Sequence, residues 1–316
     1  MRAVWFDGRL QMLDDAPLPK IDGQLEALIK VRLAGICNTD LEVIQGYASF
    51  KGILGHEFVG EVVDGPPNWI DKRVVGEINI ADGTCDMCRQ GIPSQCRHRR
   101  ALGIHDYDGV FADYVRLPIG NLHHVDETIS DRSAVFTEPL AACLQILEQV
   151  HLHESTPCVV IGAGKLGLLA AQVLRLTCAD VRVVVRHQRP AVLLQKWGIA
   201  YAAADEIASA SVPIVVDCTG TASGLEQSLR MVAPRGTIVL KSTYNAIPQV
   251  DMTHIAVHEI RVIGSRCGPF EAALRMLRYG VIDVEPMIEA VYPLEDALDA
   301  FADAQGAGKL KVLLQP

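Results

Sequence analysis

The chain has 316 residues, 49% of them hydrophobic and 21% charged, with a formal net charge of -9. That length is enough for two domains with sizeable cores. The acidic balance argues against nucleic acid as a partner, because no basic field is available to neutralise phosphates; the local run Arg97-His98-Arg99-Arg100 reads as a solvated loop. There are nine cysteines, an odd number, and three crowd together at Cys85, Cys88 and Cys96. This pattern points to reduced thiols around a metal, not to a disulfide framework. The N-terminus has no long apolar run of the signal-peptide kind. The most apolar window, 158–176, is interrupted by Gly162, Gly164 and Lys165, so it reads as strand plus helix and not as a membrane span. A soluble, cytoplasmic protein without internal repeats is expected.

In chain order, residues 1–80 read as short strands and turns. Residues 27–33 partly alternate apolar and polar, as a half-buried strand does, after the turn residues Pro17, Pro19 and Gly23. Next come Ala34-Gly35-Ile36-Cys37-Asn38-Thr39-Asp40-Leu41-Glu42 and Leu54-Gly55-His56-Glu57-Phe58-Val59-Gly60-Glu61. A Cys and a His-Glu pair, each beside a Gly where backbone can turn sharply, are able to converge on one metal. Zinc takes thiolate, imidazole and carboxylate, and a catalytic site leaves one position open. Taken singly, a Cys is more often a small core residue and a His a satisfied structural one.

Residues 139–268 alternate helix and strand. Helices are expected at 140–149, 165–177, 190–197 and 224–232, and strands at 181–185, 236–240 and 260–265. A further strand at 213–217 runs into a turn containing Thr219. Strands separated by helices mean a parallel, doubly wound sheet, hence an α/β protein. The remainder holds helices at 270–278 and 294–304 and a strand at 309–314.

At the head of the alternating region stands Val159-Val160-Ile161-Gly162-Ala163-Gly164-Lys165-Leu166-Gly167. A β-branched run ends in G-x-G-x-x-G, and Leu and Ala follow at helical spacing. This is the strand–turn–helix setting of a dinucleotide fingerprint. Gly162 permits the tight turn, Gly164 lets backbone approach a pyrophosphate, and Gly167 lets helix pack on strand. Lys165 and Leu166 open the helix whose N-terminus would face the anion, and Thr219 joins them as a cofactor contact. An NAD-binding unit places an Asp or Glu about 20 residues further on. Here the second strand ends in Val185-Arg186-His187-Gln188-Arg189, without a carboxylate. Arg186 and Arg189 would suit a 2′-phosphate, so NADP(H) is expected over NAD(H).

The sequence G-I-C-x-T-D, then G-H-E-x-x-G, then a Cys cluster, then G-x-G-x-x-G resembles the zinc-containing medium-chain dehydrogenases, which include alcohol, sorbitol, glucose and threonine dehydrogenases. The resemblance runs nearly end to end. It implies a GroES-like, mainly-β catalytic domain from 1–138 and 269–316, with a Rossmann cofactor domain, 139–268, inserted in it. It implies catalytic zinc on Cys37 and His56, with Glu138 of Phe136-Thr137-Glu138-Pro139 as third ligand, as in sorbitol- and glucose-type members. Glu57 is then a fourth ligand or a group exchanging with water, and Asp40 holds the His56 ring. Thr39 resembles the hydroxyl that passes the substrate proton outward, and Glu42 is a candidate next step. The structural-zinc lobe normally carries four Cys; here Asp82 takes the first position beside Cys85, Cys88 and Cys96, with His98 as a reserve ligand. Zinc accepts a carboxylate oxygen, so a closed zinc site is expected, the alternative being an empty or oxidised lobe.

Gly103-Ile104-His105-Asp106-Tyr107-Asp108-Gly109-Val110-Phe111-Ala112-Asp113-Tyr114 matches the family's D-G-x-F-A-E-Y turn, where His105 and Tyr107 could line a substrate cleft. His254 and His258 have helical i,i+4 spacing but no third ligand nearby; His123, His124, His151 and His153 read as surface or packing residues. The implied reaction is hydride transfer between an alcohol and NAD(P), with polyols or sugars ahead of simple alcohols. The partner is a small molecule, with no membrane, and the assembly a homo-oligomer, dimer or tetramer as in the family. Two rival readings are a zinc-free NADPH-dependent quinone or enone reductase, opposed by Cys37, His56, Glu57 and Glu138, and a non-catalytic nucleotide-binding protein of the same fold.

Overall fold

Short apolar runs cut by glycine and proline favour strands over helices in the first part of the chain. In order these are β1 (Ala3–Phe6), β2 (Leu10–Leu13), β3 (Glu26–Gly35), helix α1 (Asn38–Ile44), β4 (Gly52–Ile53), β5 (Glu57–Asp64), β6 (Arg73–Gly76), β7 (Asn79–Ile80), the one-turn α2 (Asp86–Arg89), β8 (Arg100–Ala101), β9 (Tyr114–Pro118), β10 (Leu122–His124) and α3 (Asp131–Ala134). Helix α4 (Thr137–Gln149) leads to β11 (Cys158–Ile161), α5 (Lys165–Arg175), β12 (Val181–Val184), α6 (Gln188–Lys196), β13 (Ala200–Ala202), β14 (Val212–Asp217), α7 (Ala222–Met231), β15 (Val232–Leu240), α8 (Met252–Val257) and β16 (Arg261–Gly264). The chain continues through α9 (Phe270–Arg278), β17 (Ile288–Pro293), α10 (Ala297–Ala304) and β18 (Lys311–Gln315). The structure is a computed structural model and describes residues 1–46, 49–244 and 247–316. It divides into two units: Met1–Glu138 with Phe270–Pro316, and Pro139–Pro269.

The first unit is built on a seven-stranded sheet of order β10-β6-β5-β3-β18-β17, with β9 also pairing β3. β3 lies antiparallel to β5, β9 and β18. Its alternating burial turns one face to a core that includes Ile29, Val31, Phe58, Phe111 and Phe301. Phe111 and Phe301 meet edge to face, 5.7 Å between ring centres, so residues from distant parts of the chain share one core. Gly55 makes the sharp turn ahead of His56; its φ is +96°, and a Cβ there would lie 2.6 Å from the Phe111 ring.

The second unit is a parallel six-stranded sheet of order β13-β12-β11-β14-β15-β16. Its central strand β11, Cys-Val-Val-Ile, is buried throughout, as a strand covered on both faces should be. The α/β class expected from the sequence is the one observed. Several element ends differ from the expected ones. α6 starts two residues before Pro190, because proline is tolerated in a helix's first turn. α7 starts at Ala222 because Thr221 caps it, its Oγ1 accepting the Gly224 N–H at 3.1 Å. β15 begins at Val232, four residues earlier than Gly236, with the register shift against β14 absorbing Pro234 and Arg235. Among the described residues no helix is long and apolar enough to cross a membrane.

Candidate active site

Antiparallel pairing puts the end of one strand beside the start of its neighbour. In the β3–β5 ladder Gly35 faces Glu57. Cys37 lies two residues beyond Gly35 and His56 one before Glu57, so both arrive at the same edge. One ligand atom each from Cys37, His56 and Glu57 lies within 4.8 Å of the others. Cys37 is also the N-cap of α1, and its backbone N–H donates to Asp40 Oδ2 at 2.8 Å. The other Asp40 oxygen, Oδ1, is 3.3 Å from His56 Nδ1, a charge contact in which neither atom completes a well-directed hydrogen bond. Asp40 thus ties the Cys37 backbone to the His56 ring. Burial disfavours charge on His56, but Asp40 and Cys37 outweigh it and hold the imidazole well above the usual histidine range. Thr39 Oγ1 sits 3.8 Å from Cys37 Sγ.

Glu57 has a partner that sequence reasoning missed. Lys311 Nζ donates to Glu57 Oε2, and both residues are 1% exposed or less. Lys311 opens β18, whose Leu313 pairs with Gly35 on the other side of β3. The pair closes over Gly35, where a Cβ would meet Glu57 Oε2 at 2.7 Å and Lys311 Cδ at 3.3 Å. The only signal in the sequence was one lysine inside the apolar run Leu310-Lys311-Val312-Leu313-Leu314. Burial works against the Lys311 charge, yet the Glu57 carboxylate keeps its pKa above the ordinary lysine value.

This cluster suits a divalent cation. Glu57 Oε1 is buried without a hydrogen-bond partner, beside a soft sulfur and an imidazole. With a divalent metal added and His56 neutral as its ligand, the anions Cys37, Glu57 and Asp40 and the cation Lys311 sum to neutrality. Glu138 is not in this three-residue group; it stands half-exposed in the first turn of α4.

A second donor group is Asp82, Cys85, Cys88 and Cys96. Tetrahedral zinc with Zn–S near 2.3 Å and Zn–O near 2.0 Å separates two sulfurs by about 3.8 Å and sulfur from oxygen by about 3.5 Å. Here Cys85 Sγ is 3.5 Å from Cys88 Sγ and 3.9 Å from Cys96 Sγ, and Cys88 Sγ is 3.4 Å from Asp82 Oδ1. The donors therefore fit a closed site with Asp82 in it. The backbone N–H groups of Arg97 and Cys88 draw the Cys85 thiol down to about 7, making it the readiest thiolate. His98 does not sit among the donors as a reserve ligand; its Nδ1 bonds Asp82 Oδ2 at 2.6 Å and holds that carboxyl well below the usual carboxylate range.

In the second unit the three glycines have distinct surroundings. Gly162 has φ +98°. Gly164 caps α5 with open space where a Cβ would be, and a Cβ on Gly167 would run into the Gly162 carbonyl oxygen. Lys165 and Leu166 form the first turn of α5. Thr219 follows β14, its N–H and Oγ1 both donating to Asp217 Oδ1, at 2.8 and 2.7 Å. Arg186 and Arg189 are exposed beyond the end of β12 and flank the start of α6. His105 is exposed, and Tyr107 is buried between Arg100 and Arg116. His254 and His258 lie with ring centres 4.5 Å apart but belong to neither donor group.

Residues 23–127 match the profile of the alcohol dehydrogenase GroES-like domain, and residues 132–315 that of the glucose dehydrogenase C-terminus. A sorbitol dehydrogenase of Halalkalibacterium halodurans is 29% identical, covering 93% of this chain and 92% of its own. An L-threonine 3-dehydrogenase of Streptomyces avermitilis is 33% identical over 96% of this chain and 95% of its own. A crystal structure from Sinorhizobium meliloti, of a protein assigned as a zinc-binding dehydrogenase and bound to NADP, superposes with a TM-score of 0.91 at 29% identity, covering 100% of this chain and 99% of that one.

Proposed function

The chain belongs to the zinc-type, alcohol dehydrogenase-like medium-chain dehydrogenases, and from that premise we propose the roles its residues play. It is a zinc-dependent oxidoreductase that moves a hydride between an alcohol and NAD(P). We assign the substrate to the polyols or sugar alcohols, which the sorbitol dehydrogenase relative favours. The observation that carries the reading is the donor cluster of half-buried Cys37 with buried His56 and Glu57, and its orphaned Glu57 oxygen.

When bound, zinc supplies the Lewis acidity that lets an alcohol lose its proton near pH 7, and the nicotinamide supplies the hydride acceptor. Cys37 and His56 hold the metal. Glu57 balances its charge, and Lys311 keeps Glu57 from being a permanent ligand by competing for one of its oxygens. Glu138 serves as a third ligand. Asp40 fixes both the Cys37 backbone and the His56 ring. Thr39 Oγ1 takes the substrate proton and hands it outward, with Glu42 one turn further along α1 as the next acceptor. The backbone at Gly162, Gly164, Lys165, Leu166 and Gly167 cradles the pyrophosphate, and Thr219 flanks it. Arg186 and Arg189 favour the 2′-phosphate, hence NADP(H). The protein works as a homo-oligomer, dimer or tetramer.

The test is zinc content per chain with turnover on a polyol panel, for wild type and Cys37→Ser. Two zinc ions falling to one, with loss of turnover, is the expected result. Wild type that oxidises polyols without zinc, or Cys37→Ser that keeps both zinc and activity, overturns the assignment.

A further inference from the structure

The basic run Arg97-His98-Arg99-Arg100 looks like a free patch in the sequence, but each side chain has a local contact. Arg97 forks onto Asp86 at 2.5 and 2.6 Å, Arg99 donates to Ser94 O at 3.0 Å, and Arg100 lies over the Tyr107 ring at 4.9 Å. The His98 side chain reaches a donor of the four-residue lobe, through the 2.6 Å contact with Asp82 Oδ2.

That contact answers a geometric problem set by Asp82. A thiolate has one donor atom and needs no help to aim it. A carboxylate has two oxygens on a torsion with only broad preferences, so its aim is loose unless both oxygens are held. Both are held here. Oδ1 accepts the backbone N–H groups of Thr84 at 2.8 Å and Cys85 at 3.2 Å, and faces Cys88 Sγ. Oδ2 is bonded by His98 Nδ1 at 2.6 Å. The backbone leading to the exposed His98 ring is tethered on one side, because Cys96 belongs to the lobe and the Arg97–Asp86 fork joins the residue after it to α2.

We propose that His98 is the positioning residue of the lobe: it holds Asp82 Oδ2 so that Oδ1 can stand in for the missing fourth thiolate toward zinc. This rests on the reading of the lobe as a zinc site. The role needs only an N–H at Nδ1, which the neutral Nδ1–H tautomer and the imidazolium both provide. Groups that bond a metal's carboxylate ligand typically contribute about 10–100-fold to affinity.

The experiment measures zinc affinity by chelator competition on the full chain, in a Cys37→Ser background that leaves only the lobe metal. His98→Ala is expected to weaken zinc about 10–100-fold. His98→Asn, whose amide nitrogen occupies the place of Nδ1, should restore most of the loss. In an Asp82→Cys background, His98→Ala should change affinity by less than about 2-fold, because a thiolate needs no aiming. Cobalt substitution gives a second readout, since three thiolate ligands should persist in His98→Ala. A change of under about 2-fold in His98→Ala, or an equal loss in the Asp82→Cys background, overturns the role of His98. Lobe zinc absent from the starting protein but present in Asp82→Cys overturns the zinc reading itself, and is distinguishable from both.

Discussion

Lys311→Met nearly keeps the length of the side chain and removes its charge from a buried site. Glu57 is 0% exposed, its Oε2 is bonded by Lys311, and its Oε1 has no other partner. In zinc-free protein the variant leaves a buried carboxylate without its Lys311 partner, and removing one partner of a buried pair costs about 3–5 kcal/mol. The assay is urea unfolding read by fluorescence in a Trp197→Phe background, where Trp5 and Trp69 both report the first unit. Bound zinc should shrink the penalty, because the metal replaces the lost cation. A zinc-free penalty under about 1 kcal/mol at pH 7, or one that bound zinc leaves unchanged, would refute the reasoning.

Two further outcomes follow from the same structure. Replacing both Arg186 and Arg189 by Ala should lower kcat/KM for NADP+ by about 10–100-fold, the loss of one or two charge-assisted hydrogen bonds, while NAD+ changes by only a few fold; equal losses on both cofactors would remove these arginines from the 2′-phosphate. His123 Nε2 meets Glu77 at 2.9 Å and Nδ1 meets Glu271 at 3.4 Å, while the ring stacks on Phe270. Burial opposes its charge, but the two carboxylates prevail and raise its pKa. Its contribution, of order 1 kcal/mol, is whole below about pH 6.5 and fades as pH rises through the raised value. The stability lead of wild type over His123→Gln should shrink accordingly, and a lead that widens with pH would contradict the pairing.

The short-range chemistry of the site was legible in the sequence, and its long-range chemistry was not. Cys37, His56 and Glu57 sit in motifs a few residues long, beside glycines that turn the chain, and β3–β5 pairing is local enough to bring them together. Lys311 is 254 residues from Glu57, so no pattern near either residue announces the contact. Asp82 was placed with Cys85, Cys88 and Cys96 by the resemblance to the four-cysteine lobe, and the structure brings the four together. That His98 serves it, and is not a reserve donor, depends on a side-chain direction that spacing does not carry. In the second unit the fingerprint and the central strands were plain because buried parallel strands are near-continuous apolar runs. The three-residue β13 and the six-residue α8 escaped because elements so short leave almost no periodic signal.

The first unit is assembled from two stretches of chain, and β18 sits inside its sheet between β3 and β17. On a ribosome this sets an order of events. At about 5–20 residues per second, the 254 residues between Glu57 and Lys311 take roughly 13–50 seconds to add. Throughout that interval the Gly35 end of β3 presents an unpaired edge, and Glu57 has no cation to meet it. The parallel-sheet unit, Pro139–Pro269, is complete before β18 exists. Folding of this unit therefore finishes where Cys37, His56 and Glu57 stand, and until β18 is made the nascent chain is open to mispairing along that side of β3.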